Sequence, residues 1–395
     1  MEVSAAKKAR SPLHIPIEMI RCILFKLKMK DLIRCECVCK EWRSTIEDPD
    51  FKLSYRGGRR VVVAAASDSG LAFTSISTDN LRIKTLLQRR GIREGGWWSG
   101  VWCSCNGLVL FSVGKHILLW NPSTRCCTKV LELQRLKHSM WHRHNVVSAS
   151  GLCYVPSTGD YKAVLLLHND DGTVLVASLK NKEWRKVELF PHHGVSVSDS
   201  GVNFHNTLHW RVAQSATDWW SSPRCKKVVY FDAESDEFKE LPTPSFPAGE
   251  SCSILGLGIT DHGGHLCIAR EKRKKTGEVE VLVMKEYGVK NSWMTQFVIS
   301  ASQFRSGYHR DFIFNTSKYN TKALIGSCLY GWWGALVYHF KLENFLEAES
   351  GLRNHTAMCS YVQSFVSPHE FIWRDDDDQD KYDKMLTFIL ERFNI

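Results

Sequence analysis

At Val61 the spacing of apolar residues changes, and the change divides the chain into two parts that cannot share one architecture. Before it, in HIPIEMIRCILFKLKMKDLIRCECVCKEWRSTIEDPDF, apolar residues recur at the roughly three-to-four-residue period of an amphipathic helix. After it, Val, Ile, Leu, Phe and Trp come in runs of about four to eight between clusters of Gly, Asn, Asp, Ser and Pro, which is how strands joined by tight turns read. Residues 1–13 are small, basic and aperiodic, and are expected to be a flexible arm.

In the helical part Pro16 suits a first helical turn, where its missing N–H costs nothing. Ile17, Ile20, Leu24 and Leu27 form one apolar face, and Ile23 widens it. Asp31 offers an N-cap for a second helix whose stripe runs Leu32, Cys35, Cys39, Trp42 and Ile46 and which Asp48-Pro49 stops. About 35 residues cannot bury two such stripes among themselves, so a partner is expected to cover some of this surface.

The order Ile15-Pro16, an aliphatic helix, Asp31-Leu32, Val38-Cys39-Lys40, Trp42-Arg43 and Asp48-Pro49-Asp50-Phe51 resembles the F-box, whose common form runs LPxE, then L, then VCKxWR and DPxF. Ile15 stands where Leu is usual, and Cys35-Glu36 where an aromatic-basic pair is common; both keep an apolar contact. The resemblance implies that Ile15, Pro16, Ile17, Ile20, Ile23, Leu24, Leu27, Leu32, Val38, Cys39 and Trp42 bind a Skp-type adaptor and, through it, a cullin and a RING subunit. A two-helix cap packed on its own domain is the competing reading.

The strand part repeats. HILLW before NPSTR, TVLVASL before KNKEW, VVYF before DAESDEF, VEVLVMKEY before GVKNSW and LVYHF before KLENF recur about every 52 to 59 residues, near the period of about 50 of kelch-type propeller blades. Hairpin turns precede them at Asn106-Gly107, Ser157 to Asp160 and Asn206-Thr207. About four strands per unit and about six units predict a β-propeller, with a large sandwich, or a pair of them, as the alternative. NGLVLF, LLWNPSTR and SYVQSFVSP are similar to the F-box-associated domain of plant F-box proteins, including those of S-locus type. Within the strand part, after Val61, the Gly-Gly doublet of true kelch repeats occurs only at Gly95-Gly96 and Gly263-Gly264. The expected fold class is α+β multidomain: a helical F-box at 14–54, an all-β propeller-like domain at 60–370, then an acidic linker and a short C-terminal helix within 374–395.

Successive strands of a blade run up and down, so the loops joining strands two to three and four to one share a face. The repeat puts HNDDGT, QSATDWWSSPRCKK, EKRKKTGE and LYGWWGA in two-to-three loops and the segment around Trp141 in a four-to-one connection. Trp141, His142, Arg143, Trp219, Trp220, Lys272, Arg273, Trp332 and Trp333 are therefore expected on one rim, as aromatic anchors and cations for a protein substrate. Plugs between blades are the competing reading for the tryptophans, and a solvated hairpin tip for Lys272 to Lys275. Trp120, Trp184 and Trp210 lie within or beside strands and are expected in the core.

No nucleophile with a base, paired carboxylates or phosphate loop stands out, and LGLGIT lacks the third glycine and the helix of a dinucleotide site. The 14 cysteines include no pair of CxxC knuckles and are read as small buried thiols. His138, His142 and His144 have no Cys, Asp or Glu close by and are read as a solvent-facing loop. No metal, cofactor or catalytic residue is expected. No run approaches the roughly 20 apolar residues of a membrane span, and the opening lacks a secretory segment. The net charge of +10 is too diffuse to point to nucleic acid. The expectation is a non-catalytic substrate receptor of a Skp, cullin and F-box ubiquitin ligase in the cytoplasm or nucleus, with a non-ligase scaffold as the alternative.

Overall fold

The computed structural model describes residues 15–371 apart from 68–69, 78–81, 91–99, 114–115, 133–146, 168–173, 188–194, 198, 215–224, 247–252, 261–263, 274–277, 300–311, 317–321, 330–331, 340–343 and 348–356. The chain divides into two compact units between Gly57 and Gly58.

The first unit holds four short helices, α1 (Ile17–Lys26), α2 (Met29–Cys35), α3 (Lys40–Glu47) and α4 (Pro49–Ser54). The expected second helix is thus two, α2 and α3, and α4 follows where it was expected to stop. Asp31 lies inside the first turn of α2, and the stripe breaks at Cys39, whose extended backbone N-caps α3 while its Sγ accepts from the Trp42 N–H at 3.4 Å. Asp48 does not simply stop a helix. Its Oδ1 accepts from the Phe51 N–H at 2.8 Å and caps α4, with Pro49 in the first turn. That N–H, together with Arg21 at 3.2 Å, holds the Asp48 carboxyl below the usual carboxylate range. Leu24, Leu32, Ile46, Phe51 and Tyr55 make a fully buried core, with Phe25 stacked on Phe51 and the Tyr55 hydroxyl donating to Leu27 O at 3.0 Å.

The second unit is built from five sheets. The first joins β1 (Arg59–Ser67), β2 (Gly70–Ser77) and β3 (Ile83–Arg90) to the chain's last described strand, β26 (Ala357–Val362). The second is β4 (Gly100–Cys105), β5 (Leu108–Val113), β6 (His116–Asn121) and β7 (Cys126–Glu132). The third is β8 (Val147–Val155), β9 (Asp160–Leu167), β10 (Val174–Ser178) and β11 (Glu183–Val187), with β13 (Asp199–Ser200) beside β8. The fourth is β12 (Val195–Val197), β15 (Thr207–Gln214), β16 (Cys225–Asp232) and β17 (Glu237–Leu241), with β14 (Val202–Phe204) paired to β15.

The fifth sheet has eight strands. A first meander is β18 (Ile254–Ile259), β19 (Leu266–Arg273), β20 (Glu278–Met284) and β21 (Trp293–Ile299). A second is β22 (Phe312–Thr316), β23 (Lys322–Leu329), β24 (Trp332–His339) and β25 (Asn344–Glu347). Parallel pairing of β18 with β22, from Gly256↔Phe312 to Ile259↔Asn315, fuses the two. The sequence spacing predicts about six units; the structure has five sheets, because two four-strand meanders share this one. The expected C-terminal helix lies outside the described residues.

The sequence repeat corresponds to a recurring turn between third and fourth strands. Arg125, Lys182 and Asp236 each take a left-handed backbone and donate their N–H to Asn121, Ser178 and Asp232 at 2.9, 2.9 and 2.8 Å. The side chains of those same three acceptors also accept a turn N–H, from Ser123, Asn181 and Glu234. The first hairpin of the fourth sheet turns at His205-Asn206, one residue earlier than expected, since Thr207 already pairs with Phe204.

Strands inside this unit are buried on both faces, which is why they read as apolar runs. Ala163 and Leu165 of β9 pack with Leu110 and Leu119 of the second sheet, while Val164 and Leu166 pack with Trp210 and Phe231 of the fourth. Val228 and Leu241 pack with Leu257, Ile268 and Leu282 of the fifth. Phe73 meets Phe111 and Trp120 edge-on at 5.4 and 5.6 Å, joining the first sheet to the second. The ring closes through β26, antiparallel to β1 from Arg59↔Val362 to Ala64↔Ala357. Beyond β26, buried Asn121 donates to Ser364 O at 3.0 Å and Val366 O at 2.8 Å. Gly107, at φ +83°, leaves room for this segment, since a Cβ there would lie 2.7 Å from Val362 O.

Candidate protein-binding surfaces

The helical unit has a finished core and still exposes Ile15, Ile17, Met19, Ile23, Ile33 and Val38. Pro16 and Cys39 are exposed as well, and Leu27 and Trp42 are half-buried. Ile20, Leu24 and Leu32 are corrected: they are at most 5% exposed and form the core of the unit rather than its contact surface. Helix α1 is apolar on more than one side, and the stripe through Ile20 and Leu24 turns inward. Left outside are Met19 and Ile23, four apart on the helix, with Ile15 exposed just before it, and the sequence reading missed Met19 because it followed only the first stripe. Ile33 was missed in the same way, beside buried Leu32 on α2. Val38, 61% exposed, sits in the break before α3, so the helix ending that splits the expected second helix also presents this residue.

In the propeller unit Trp141, His142, Arg143, Trp219 and Trp220 lie outside the described residues, as do His138 and His144. Trp332 and Trp333 are not in a loop. They begin β24, where Trp332 pairs with Leu329 and Trp333 with Cys328, in keeping with the strand preference of Trp. Lys272 and Arg273 likewise end β19, with Arg273 paired to Glu278. Trp120 and Trp210 are buried at 1% exposure, as expected, and Trp184 is half-buried against the core.

The thiols divide between the units. Cys103, Cys105, Cys127, Cys153, Cys225, Cys267 and Cys359 are buried, and burial pushes Cys267 and Cys359 up to about 12, so these are inert small hydrophobes. Cys22, Cys37 and Cys39 are exposed, against the expectation for the whole set, because they sit on helices or a turn too short to cover them. Among the described residues no cluster of His, Cys, Asp and Glu is arranged to hold a metal ion, and no helix is long and apolar enough to cross a membrane.

One polar pair built on a buried histidine was not anticipated. His209 is fully buried on β15; its Nδ1 donates to Val202 O at 3.2 Å, leaving Nε2 to accept from the Tyr287 hydroxyl at 2.8 Å. Burial holds this imidazole neutral, with its pKa down at about 4, and pushes the Tyr287 phenol up.

A small helical unit with an apolar skin precedes a closed ring of sheets whose strands pair antiparallel except at β13–β8 and β18–β22. Residues 12–54 match the F-box domain, and residues 80–368 match the F-box associated beta propeller domain. The chain belongs to the family of F-box proteins that carry this propeller. It is 29% identical to the F-box/kelch-repeat protein At3g23880 of Arabidopsis thaliana, over 91% of this chain and 97% of that protein. It is 26% identical to the F-box protein CPR1 of Arabidopsis thaliana, over 72% of this chain and 73% of that one. Among solved structures it is similar to TolB from Acinetobacter baumannii, with a TM-score of 0.47, 11% identity and 82% and 73% of the two chains covered.

Proposed function

We propose that this protein is the substrate receptor of a Skp-type, cullin and RING ubiquitin ligase, acting in the cytoplasm or nucleus. The observation that carries the reading is the helical unit's exposed apolar stripe of Ile15, Met19 and Ile23 outside a core that is already complete. A monomer gains nothing by leaving such a patch in water; an adaptor that covers it recovers roughly 25 cal/mol for each Å² of apolar area. Ile17, Ile33, Val38, Cys39 and half-buried Leu27 and Trp42 complete the docking surface. The propeller holds a protein substrate, and the aromatic and basic residues Trp141, His142, Arg143, Trp219, Trp220, Lys272, Arg273, Trp332 and Trp333 remain candidates for that contact. The receptor itself transfers nothing. It raises the effective concentration of bound substrate beside a ubiquitin-charged enzyme.

The test is reconstitution with a purified Skp-type adaptor and cullin. The wild-type chain is expected to bring down both, and the chain with Ile15→Ala and Pro16→Ala neither, with the same propeller unfolding transition. Unchanged capture of the adaptor by the folded double variant overturns the docking surface; adaptor without cullin overturns the ligase and leaves the scaffold.

A further inference from the structure

Among the described side chains of the propeller unit, the large hydrophobics left exposed are Tyr287, Val289 and Met294. All three fall in one place, the tip of the hairpin between β20 and β21 and the start of β21. β21 is also an edge strand: β20 is its one partner among the described strands, and Met294, Thr295 and Gln296 are exposed along it.

The outer strands differ in charge. β3 carries Lys84, Arg89 and Arg90; β7 Lys129 and Glu132; β11 Glu183, Arg185 and Lys186; β17 Glu237, Lys239 and Glu240; and β25 Glu347. β21 reads WMTQFVI and carries no charge. Charged residues on an edge strand discourage pairing with another chain, and an edge without them offers its N–H and C=O groups as a template. The device β21 retains is an extra residue at Gln296, where the register with β20 shifts. At the hairpin tip Lys285 and Lys290 are exposed and form no ion pair among the described residues, and with Glu286 counted the tip stays positive.

We propose that β21 is a docking edge for an extended segment of a partner protein, which pairs with β21 as a further strand, sets apolar side chains on Tyr287, Val289 and Met294, and carries an acidic residue at the end that meets Lys285 and Lys290. The inference rests on the function proposed above only in making that partner the ubiquitination substrate. A second copy of this chain fits less of the surface, since an antiparallel β21 brings no acidic group to either lysine.

The probe is a phage-displayed library of random peptides about 12 residues long, selected against the full chain bound to its adaptor. Enriched peptides are then synthesised and titrated against wild type, Met294→Lys and Gln296→Lys. Met294 is 58% exposed, so a lysine there leaves the fold intact. The expected peptides have an uncharged, β-branched core with Asp or Glu at one end. Either variant weakens them about tenfold or more, N-methylation of alternate peptide amides abolishes binding, and both variants still capture the adaptor. The last readout separates this inference from the docking surface on the helical unit, which fails or stands by itself. Peptides that bind wild type and both variants alike, or no enrichment over the variants, overturn it. So does a concentration-dependent dimer that Met294→Lys abolishes, which gives the edge to a second copy.

Discussion

The helical unit and the propeller meet the same difficulty, apolar surface in excess of what one layer hides, and resolve it in opposite ways. Four short helices complete a core around Leu24, Leu32, Ile46, Phe51 and Tyr55 and leave Ile15, Met19, Ile23, Ile33 and Val38 in water. In the propeller, inner strands of the second to fourth sheets pack between neighbouring sheets, and exposed large hydrophobics narrow to one hairpin among the described side chains. Closure makes the difference. A ring gives each sheet two neighbours, whereas a short bundle has an inside and an outside. The helical unit therefore depends on a partner for its surface, and the propeller depends on its own C-terminal strand.

The sharpest way to break this contrast is to open the ring. A chain that ends before Ala357 loses β26, the partner of β1, together with the Ser364 and Val366 carbonyls that hold Asn121. The expected outcome, the largest among these, is loss of the cooperative unfolding transition of the whole propeller in calorimetry while the helical unit still captures the adaptor. An unchanged transition would show that closure through β26 contributes little.

Next in size is Trp210→Ala. The indole lies between the third and fourth sheets, donates from Nε1 to Ser150 O at 3.1 Å, and approaches Gly201 so closely that a Cβ there would come within 2.7 Å. Its removal is expected to cost about 3–5 kcal/mol in urea denaturation. A loss below about 1 kcal/mol would mean that the sheets reseal around the gap and that the ring is more tolerant than its packing indicates.

The contrast also governs what was legible in the sequence. Strand positions and the recurring turn could be read because the second, third and fourth sheets repeat one local solution, Asn121, Ser178 and Asp232 accepting from Arg125, Lys182 and Asp236. The sheet count could not, because the pairing of β18 with β22 joins residues far apart in the chain through backbone groups that leave no residue signature. In α1 the period predicts a helix correctly, but two stripes compete, and burial in the helical unit's core, which the period does not encode, selects Ile20 and Leu24. The repeat alignment puts Trp332 and Trp333 in a loop, but strand pairing continues to Leu329↔Trp332 and makes them the start of β24.

A smaller effect separates the units by pH. His209 has its pKa held at about 4 in the folded propeller and near its ordinary 6.5 when unfolded. The unfolded chain therefore binds the extra proton between these values, so the contribution is complete above 6.5 and is lost as pH falls toward 4. The slope approaches about 1.4 kcal/mol per pH unit within that window. The propeller transition should weaken between pH 6.5 and 4 and do so less in His209→Gln. Equal acid sensitivity of the two chains would place the titrating group elsewhere.

The smallest change in stability is expected where the effect on binding is greatest. Replacing Ile15, Met19 and Ile23 together by Ala removes side chains that contribute nothing to the core, so the helical unit should change by no more than about 0.5 kcal/mol for each, while capture of the adaptor falls about tenfold or more. Leu24→Ala, one residue from Ile23, is the control: its side chain is fully buried, and its loss is expected to cost about 2–5 kcal/mol. Thermal unfolding of the two variants beside adaptor pull-down separates a surface waiting for a partner from a core that is merely thin. If the triple variant unfolds as readily as Leu24→Ala, the exposed stripe belongs to the unit's own packing, and the apolar surface that sets this unit apart from the propeller has another purpose than docking.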